Sequence, residues 1–353
     1  MSRSGRYSWR MVKTGSPLER FDDAAREPTA GEVVVEIAGC GLCHTDLGFL
    51  DGGVSTRQDL PLVLGHEIAG TVIEVGEGAD RWLGMDVLVP AVIPCEECVM
   101  CLSGRGNVCT NQKMPGNDFD GGFATHVTVP ARGLAPVVDL PPRYELADLS
   151  VVADAVTTPL QAVRRAGVGA GDFVVVVGTG GVGGFAVQVA AASGATVIAV
   201  DIDDSHLEPL LEHGAAGIVN ARGLSARDVR GVVRDHARSE GVGSSGWKIF
   251  ECSGTTAGQE TAFGMLGPAA TLAVVGFTMD KVTIRLSNLM AFDAMAFGSW
   301  GCPPQLYPEA IDLVTSGQID LLPFTRKTSM ADISQVLEEA HIGGDPRRTI
   351  LVP

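Results

Sequence analysis

The fold turns on Phe173-Val174-Val175-Val176-Val177-Gly178-Thr179-Gly180-Gly181-Val182-Gly183. The first five residues are a continuous apolar run, as in a strand covered on both faces. The glycines that follow have the spacing G-x-G-x-x-G. An apolar helical segment, Phe185–Ala191, comes next, then a second strand-like run, Thr196–Val200, which ends on Asp201. The spacing alone is a weak signal, but strand, glycines, helix, strand and terminal acid in one unit form a strong one. Gly178, Gly180, Gly181, Val182 and Gly183 let the backbone approach a pyrophosphate at a helix N-terminus. Asp201 would accept hydrogen bonds from ribose hydroxyls and repel a 2′-phosphate. No Lys or Arg lies between Asp201 and Arg222 to offset that charge, so the reading favours NAD over NADP. The alternative is a nucleotide-free α/β fold with a tight turn.

The alternation continues on the C-terminal side. Ala216–Val219, Lys248–Cys252, Thr271–Gly276 and Ala294–Gly298 read as strands, with helical stretches at Ser225–Arg238 and Thr256–Leu266. Strands alternating with helices give a doubly wound parallel sheet. On the N-terminal side the pattern changes. Val33–Ile37, Gly70–Gly76, Asp86–Pro90 and Gly121–Pro130 are short strand candidates rich in bounding glycines, and they predict a compact, β-rich, barrel-like domain. Asp148–Arg165 reads as one helix. Pro308–Ser316 and Ile333–His341 are amphipathic helices near the end. With no long linker, the two domains are expected to share a close interface with a cleft between them.

Two clusters in the β-rich part have metal-ligand chemistry. Gly39-Cys40-Gly41-Leu42-Cys43-His44-Thr45-Asp46 and Gly65-His66-Glu67 offer a thiolate, an imidazole and a carboxylate. A catalytic zinc takes three protein ligands of these types and keeps a further position open. Asp154 is a candidate fourth ligand or a helix-capping charge, and spacing does not decide between them. Cys95-x2-Cys98-x2-Cys101-x7-Cys109 fits a closed, structural tetrahedral zinc. An iron–sulfur cluster is its rival, weakened by the seven-residue gap and the absence of a Cys-Pro ending.

The chain has 353 residues, 45% of them hydrophobic and 19% charged, as expected of a globular protein. A formal net charge of −16 argues against non-specific nucleic-acid binding. No apolar run is long enough to span a bilayer. Met1–Lys13 is basic without an apolar core or cleavage site, so no signal peptide is read. Four of the eight cysteines crowd into one segment, which points to metal binding in a reducing, cytoplasmic compartment.

The whole chain resembles the zinc-dependent medium-chain alcohol dehydrogenases, through GCGLCHTD, GHE, the four-cysteine lobe, GTGGVG and the closing Arg348-Thr349-Ile350-Leu351. The resemblance implies an α/β protein. A Rossmann doubly wound sheet at 154–298 would bind NAD. A β-rich, GroES-like catalytic domain would be formed by 1–153 and 299–353, carrying a zinc lobe at about 93–112. It implies two zinc ions per chain. Cys43, His66, Glu67 and Asp154 would belong to the catalytic zinc, and Cys95, Cys98, Cys101 and Cys109 to the structural one. Glu67 would be a carboxylate able to approach or leave the metal. Asp46 would orient His66, Thr45 would hydrogen-bond the reacting oxygen, and His44 and Arg348 would contact the cofactor pyrophosphate. It further implies a small-molecule substrate and a homo-oligomer, dimer or tetramer. One departure is Gly48, where many relatives carry the His that ends a proton relay; His44 and His126 stay open for that role.

A narrower likeness joins Met114–Asp118 (MPGND), Gly121–Val127 (GGFATHV) and Val151–Val163 (VVADAVTTPLQAV) to the 6-hydroxycyclohex-1-ene-1-carbonyl-CoA dehydrogenases of anaerobic aromatic degradation. It implies oxidation of an allylic secondary alcohol on an acyl-CoA to the 6-oxo enone. The rivals are a simple secondary-alcohol or polyol dehydrogenase of the same family, a metal-free enone reductase, and a protein that keeps the fold without the chemistry.

Overall fold

The computed structural model describes residues 5–343 and 345–353. The first four residues of the basic N-terminal stretch lie outside it. The chain divides into two compact units. One comprises the chain up to Thr157 with Gly301–Thr315 and Phe324–Pro353, and the other comprises Thr158–Trp300 with Ser316–Pro323. The run Ser316–Pro323, grouped with the chain ends in the sequence reading, clusters with the second unit. There the Gln188 carboxamide exchanges hydrogen bonds with the backbone of Asp320, donating at 3.2 Å and accepting at 2.8 Å.

The first unit opens with β1 (Tyr7–Met11), β2 (Glu19–Asp22), β3 (Glu32–Gly41), α1 (His44–Leu50), β4 (Leu62–Val63) and β5 (Glu67–Val75). It continues with β6 (Asp86–Val89), α2 (Val99–Leu102), β7 (His126–Pro130) and β8 (Ala135–Pro136). Then come α3 (Thr157–Ala166), β9 (Phe173–Val177), α4 (Gly183–Ala192), β10 (Thr196–Asp201), α5 (Asp204–Leu207) and β11 (Ala215–Asn220). These are followed by α6 (Ala226–Ser239), β12 (Lys248–Glu251), α7 (Thr256–Gly264), β13 (Thr271–Val274), α8 (Ser287–Phe292) and β14 (Met295–Gly298). The chain closes with α9 (Tyr307–Thr315), β15 (Thr325–Ser329), α10 (Ile333–Ile342) and β16 (Arg348–Val352).

In the second unit the strands form a parallel sheet in the order β11-β10-β9-β12-β13-β14. The order reverses between β9 and β12, and in open α/β sheets the crevice at such a reversal takes the ligand. The glycine turn after β9 sits at that point. A Cβ on Gly178 would meet Ser253 at 2.4 Å, and one on Gly183 would meet the Gly178 carbonyl at 1.8 Å. No other residue lets the backbone fold this tightly. The apolar strands pack into a core around Val175, Ile198, Val233, Ile249 and Phe263.

In the first unit the larger sheet runs β15-β16-β3-β5-β6-β8, with β7 also on β3, beside a smaller β2-β1-β4 sheet. Alternating residues of β3 and β5 (Val33, Val35, Ile68, Val72) and Phe123 build its core. The single helix expected over 148–165 is instead a 3-10 stretch, Leu146–Ala153, a break, and then α3. Pro159 explains the break: it has no N–H to give to the carbonyl four residues earlier and its ring crowds that carbonyl, so it is tolerated only in the first turn of a new helix. Asp154 falls in the break, with φ −139° and ψ −55°.

Candidate active site

Strand register assembles the mixed cluster. Gly41 at the end of β3 pairs with Glu67 at the start of β5 and with Ile350 of β16. The three strand ends therefore carry Cys43, His66, Glu67 and Arg348 to one place. A Cβ on Gly41 would lie 2.0 Å from Glu67 Oε2, so the space it leaves holds the carboxylate. Gly65 turns the chain into His66 at φ +95°, with Phe123 and Cys40 Sγ packed where a side chain would go.

Cys43, His66, Glu67 and Asp154 each place one donor atom within 4.8 Å of the others. Asp154 Oδ2 is 3.7 Å from His66 Nε2 and 3.9 Å from Cys43 Sγ. Asp154 is therefore part of the candidate metal cluster. Asp46 is completely buried. Its Oδ2 accepts the Cys43 N–H at 3.0 Å, its Oδ1 accepts the Gly65 N–H at 3.1 Å, and the same Oδ1 lies 3.4 Å from His66 Nδ1. It thus ties the two ligand segments together and leaves Nε2 facing the cluster. Burial works against a charged His66 ring, but Asp46, Asp154 and Cys43 raise its pKa well above the ordinary value. Such a group of acids and a thiol favours a cation in their midst. Thr45, in the first turn of α1, sets its hydroxyl 3.6 Å from Cys43 Sγ on the exposed side.

Arg348 does something that spacing gave no signal for. It is buried against Glu67, with Nε donating to Oε2 at 2.7 Å and Nη2 donating to Oε1. Burial pushes the Glu67 carboxyl up, to about 7, against the lowering pull of Arg348. His44 is lowered by desolvation, then by Arg348 and His341. His126 is directed elsewhere: its Nδ1 lies 2.8 Å from the Thr125 hydroxyl, and it lines a separate cavity of about 560 Å³ with Arg6, Arg10 and Arg26. A Cβ on Gly48 would meet nothing within 4 Å, so that position is open space.

The second cluster is different in kind. The sulfurs of Cys95, Cys98, Cys101 and Cys109 lie 3.4–3.9 Å apart along four edges. A tetrahedron with Zn–S bonds of about 2.3 Å has edges of about 3.8 Å, so the lobe fits one ion and is too tight for a cluster of several irons. Backbone N–H groups of Cys95 and Asn111 donate to Cys109 Sγ, each at 3.3 Å. The Cys101 N–H leads in lowering Cys98 to about 6, while burial and then the neighbouring thiols raise Cys101 to about 12. Four thiols so close compete for charge that a dication would balance.

In the second unit Asp201 ends β10. Its Oδ2 accepts from the Thr179 N–H at 2.6 Å, and its Oδ1 from the N–H groups of Ile202 and Asp203 at 2.7 and 3.1 Å. Burial works to raise its pKa, but His206 and the Thr179 N–H outweigh it and hold the carboxyl at about 2. Asp201 is thus an anion fixed directly against the glycine turn.

These features recur in known proteins. Residues 29–141 match the alcohol dehydrogenase GroES-like domain, and 181–316 match the zinc-binding dehydrogenase domain. The chain is 29% identical to an alcohol dehydrogenase of Geobacillus stearothermophilus over 91% of each chain. It is 32% identical to L-threonine 3-dehydrogenase of Pyrococcus horikoshii over 80% of this chain and 79% of the relative. The alcohol dehydrogenase structure from Aeropyrum pernix superposes with a TM-score of 0.87 at 28% identity, covering 98% of this chain and 100% of that one. With matched segments across both units and a relative above 30% identity over most of its length, the chain belongs to the zinc-dependent medium-chain alcohol dehydrogenase family.

Proposed function

We propose that this protein oxidises a secondary alcohol to a ketone with NAD as hydride acceptor, at a catalytic zinc held by Cys43, His66 and Asp154, with Glu67 as an exchangeable carboxylate. The observation that carries the reading is the convergence of four donors of zinc-binding type beside an exposed hydroxyl. Zinc when bound supplies Lewis-acid polarisation of the alcohol oxygen, and the nicotinamide supplies the hydride acceptor. Thr45 hydrogen-bonds the reacting oxygen and takes the hydroxyl proton as it passes its own outward. With Gly48 in the relay position, that proton leaves through cofactor ribose and water. Asp46 keeps His66 in the tautomer that presents Nε2. Arg348 grips the Glu67 carboxylate and holds it back. In the other unit the glycines seat the pyrophosphate, and ionised Asp201 selects NAD over NADP by repelling a 2′-phosphate.

The narrower substrate is a cyclic allylic hydroxyacyl-CoA, giving the enone thioester. It is supported by the Met114–Asp118, Gly121–Val127 and Val151–Val163 motifs. Arg57, more than half exposed beside Asp118, is a cation of the kind a CoA phosphate needs. The homo-oligomer is supported by the place of β14 at the end of its sheet and by exposed large apolar side chains such as Phe277, Leu286, Met290 and Trp300. Among the described residues no helix is long and apolar enough to cross a membrane. The cytoplasmic location is supported by the crowding of four cysteines into one segment of metal-binding type. The test is NADH formation with the hydroxyacyl-CoA offered beside free secondary alcohols and polyols. Preference for the thioester supports the narrow reading, activity on free alcohols alone removes it, and no turnover on any of them overturns the dehydrogenase.

A further inference from the structure

Asp154 is a demanding ligand. Borderline-soft zinc prefers thiolate and imidazole, so a carboxylate depends more on being held in place. Asp154 also lies in the turn between the Leu146–Ala153 stretch and α3, with the Thr157 hydroxyl 3.5 Å from its carbonyl oxygen. The carbonyl of the preceding residue is tied down as well. Ala153 O, fully buried, accepts a hydrogen bond from the Thr157 hydroxyl at 3.1 Å and another from the Tyr307 hydroxyl. Tyr307 Oη in turn accepts the Ala91 N–H at 3.0 Å. Ala91 lies in the segment between β6 and Cys95, so one phenol joins the metal-ligand turn to the stem of the four-cysteine lobe.

Tyr307 has no exposed surface and is among the largest fully buried side chains. Phe would fill nearly the same volume without a polar atom to satisfy. The hydroxyl is therefore there for its two backbone partners. Both partners and Asp154 belong to the same compact unit.

We propose that Tyr307 is a positioning residue for the catalytic metal: its buried hydroxyl fixes the Ala153 carbonyl and thereby aims the Asp154 carboxylate at His66 Nε2 and Cys43 Sγ. The inference rests on the catalytic-zinc reading above. Outer-shell partners of metal ligands typically change metal affinity by about 10–100-fold when removed. The test compares wild type, Tyr307→Phe and Thr157→Val as holoenzymes. Zinc content is measured during dialysis against a graded chelator, and the visible spectrum after Co²⁺ replaces the weaker-held zinc. Expected is a wild type with two zinc ions. Tyr307→Phe should keep the lobe zinc, release the other at about tenfold lower chelator, and show altered Co²⁺ d–d bands; Thr157→Val should shift the same way and less. A purely structural role would lower the melting temperature and leave affinity and spectrum unchanged, which overturns the proposal. If Tyr307→Phe does not fold, Thr157→Val decides by the same readouts. A wild type holding one zinc only overturns the catalytic-zinc reading and this inference with it, and so separates the two failures.

Discussion

The four-cysteine lobe takes all its donors from one short run, Cys95 to Cys109, while the mixed cluster gathers its donors from β5, the end of β3 and a helix break far along the chain. The lobe's sulfurs face one another in a closed tetrahedron. The mixed cluster has a hydroxyl on its open side, a guanidinium gripping one of its carboxylates and a buried acid behind its imidazole. A local ligand set needs little more than a tight turn and contributes folding energy. A distributed one needs the whole β-rich unit folded and in register, and it leaves room for chemistry. In the proposed reading the same metal does two jobs according to how many parts of the fold supply its ligands.

The sharpest way to break this contrast is at Cys43. Cys43→Ser removes the soft ligand of the open site. It should lower kcat/KM by about 10³–10⁴-fold, or about 4–6 kcal/mol, while NAD affinity measured by nucleotide fluorescence stays within about twofold. A parallel loss of NAD binding would mean that the two units do not divide the work as described. The counterpart is Cys109→Ser in the lobe, where the effect belongs in stability. Loss of a structural metal should cost several kcal/mol, on the order of 4, read by urea unfolding, with turnover per folded molecule much less affected than in Cys43→Ser. Equal effects of the two substitutions on turnover would erase the distinction.

A smaller effect is expected at Glu67. Glu67→Gln leaves Arg348 buried against a neutral partner, and about 2–3 kcal/mol of stability should go with it. Unchanged unfolding would mean that Arg348 does not depend on this pairing. The smallest effect lies away from both metals and serves as a control. Asp201 raises the pKa of His206, so that part of the pair's stabilisation is full below pH of about 6.5 and fades as pH rises through the raised value. Asp201, held at about 2, contributes above pH of about 4 and loses its part as pH falls toward 2. His206→Gln should therefore destabilise by about 1 kcal/mol at pH 5.5 and by almost nothing at pH 9, in urea titrations at the two pH values. A gap that widens toward pH 9 would reverse the sign of this coupling.

Legibility in the sequence followed the same division. The lobe could be read from spacing because its ligands are local. The glycine turn and Asp201 could be read because strand, turn and helix follow in order. Cys43, His66 and Glu67 were visible as residue types, but their meeting depends on the Gly41–Glu67 and Gly41–Ile350 register, which no local pattern encodes. Asp154 stayed ambiguous because it is remote in sequence from Cys43, and only the fold brings its carboxylate beside His66 and Cys43. Arg348 shows the limit most clearly: its buried pairing with Glu67 joins distant parts of the chain and has no local signature. Tyr307 gave no signal, since a Tyr in an amphipathic helix is ordinary and its two partners are backbone groups.

The central claim is that one unit holds two zinc ions of opposite kinds, and anomalous diffraction at the zinc edge tests it most directly. The account predicts two peaks. One should be centred among Cys95, Cys98, Cys101 and Cys109. The other should lie about 2.0–2.3 Å from Cys43 Sγ and His66 Nε2, with Asp154 in reach and a position open toward Thr45. A single peak in the lobe, with no metal at Cys43, would contradict it.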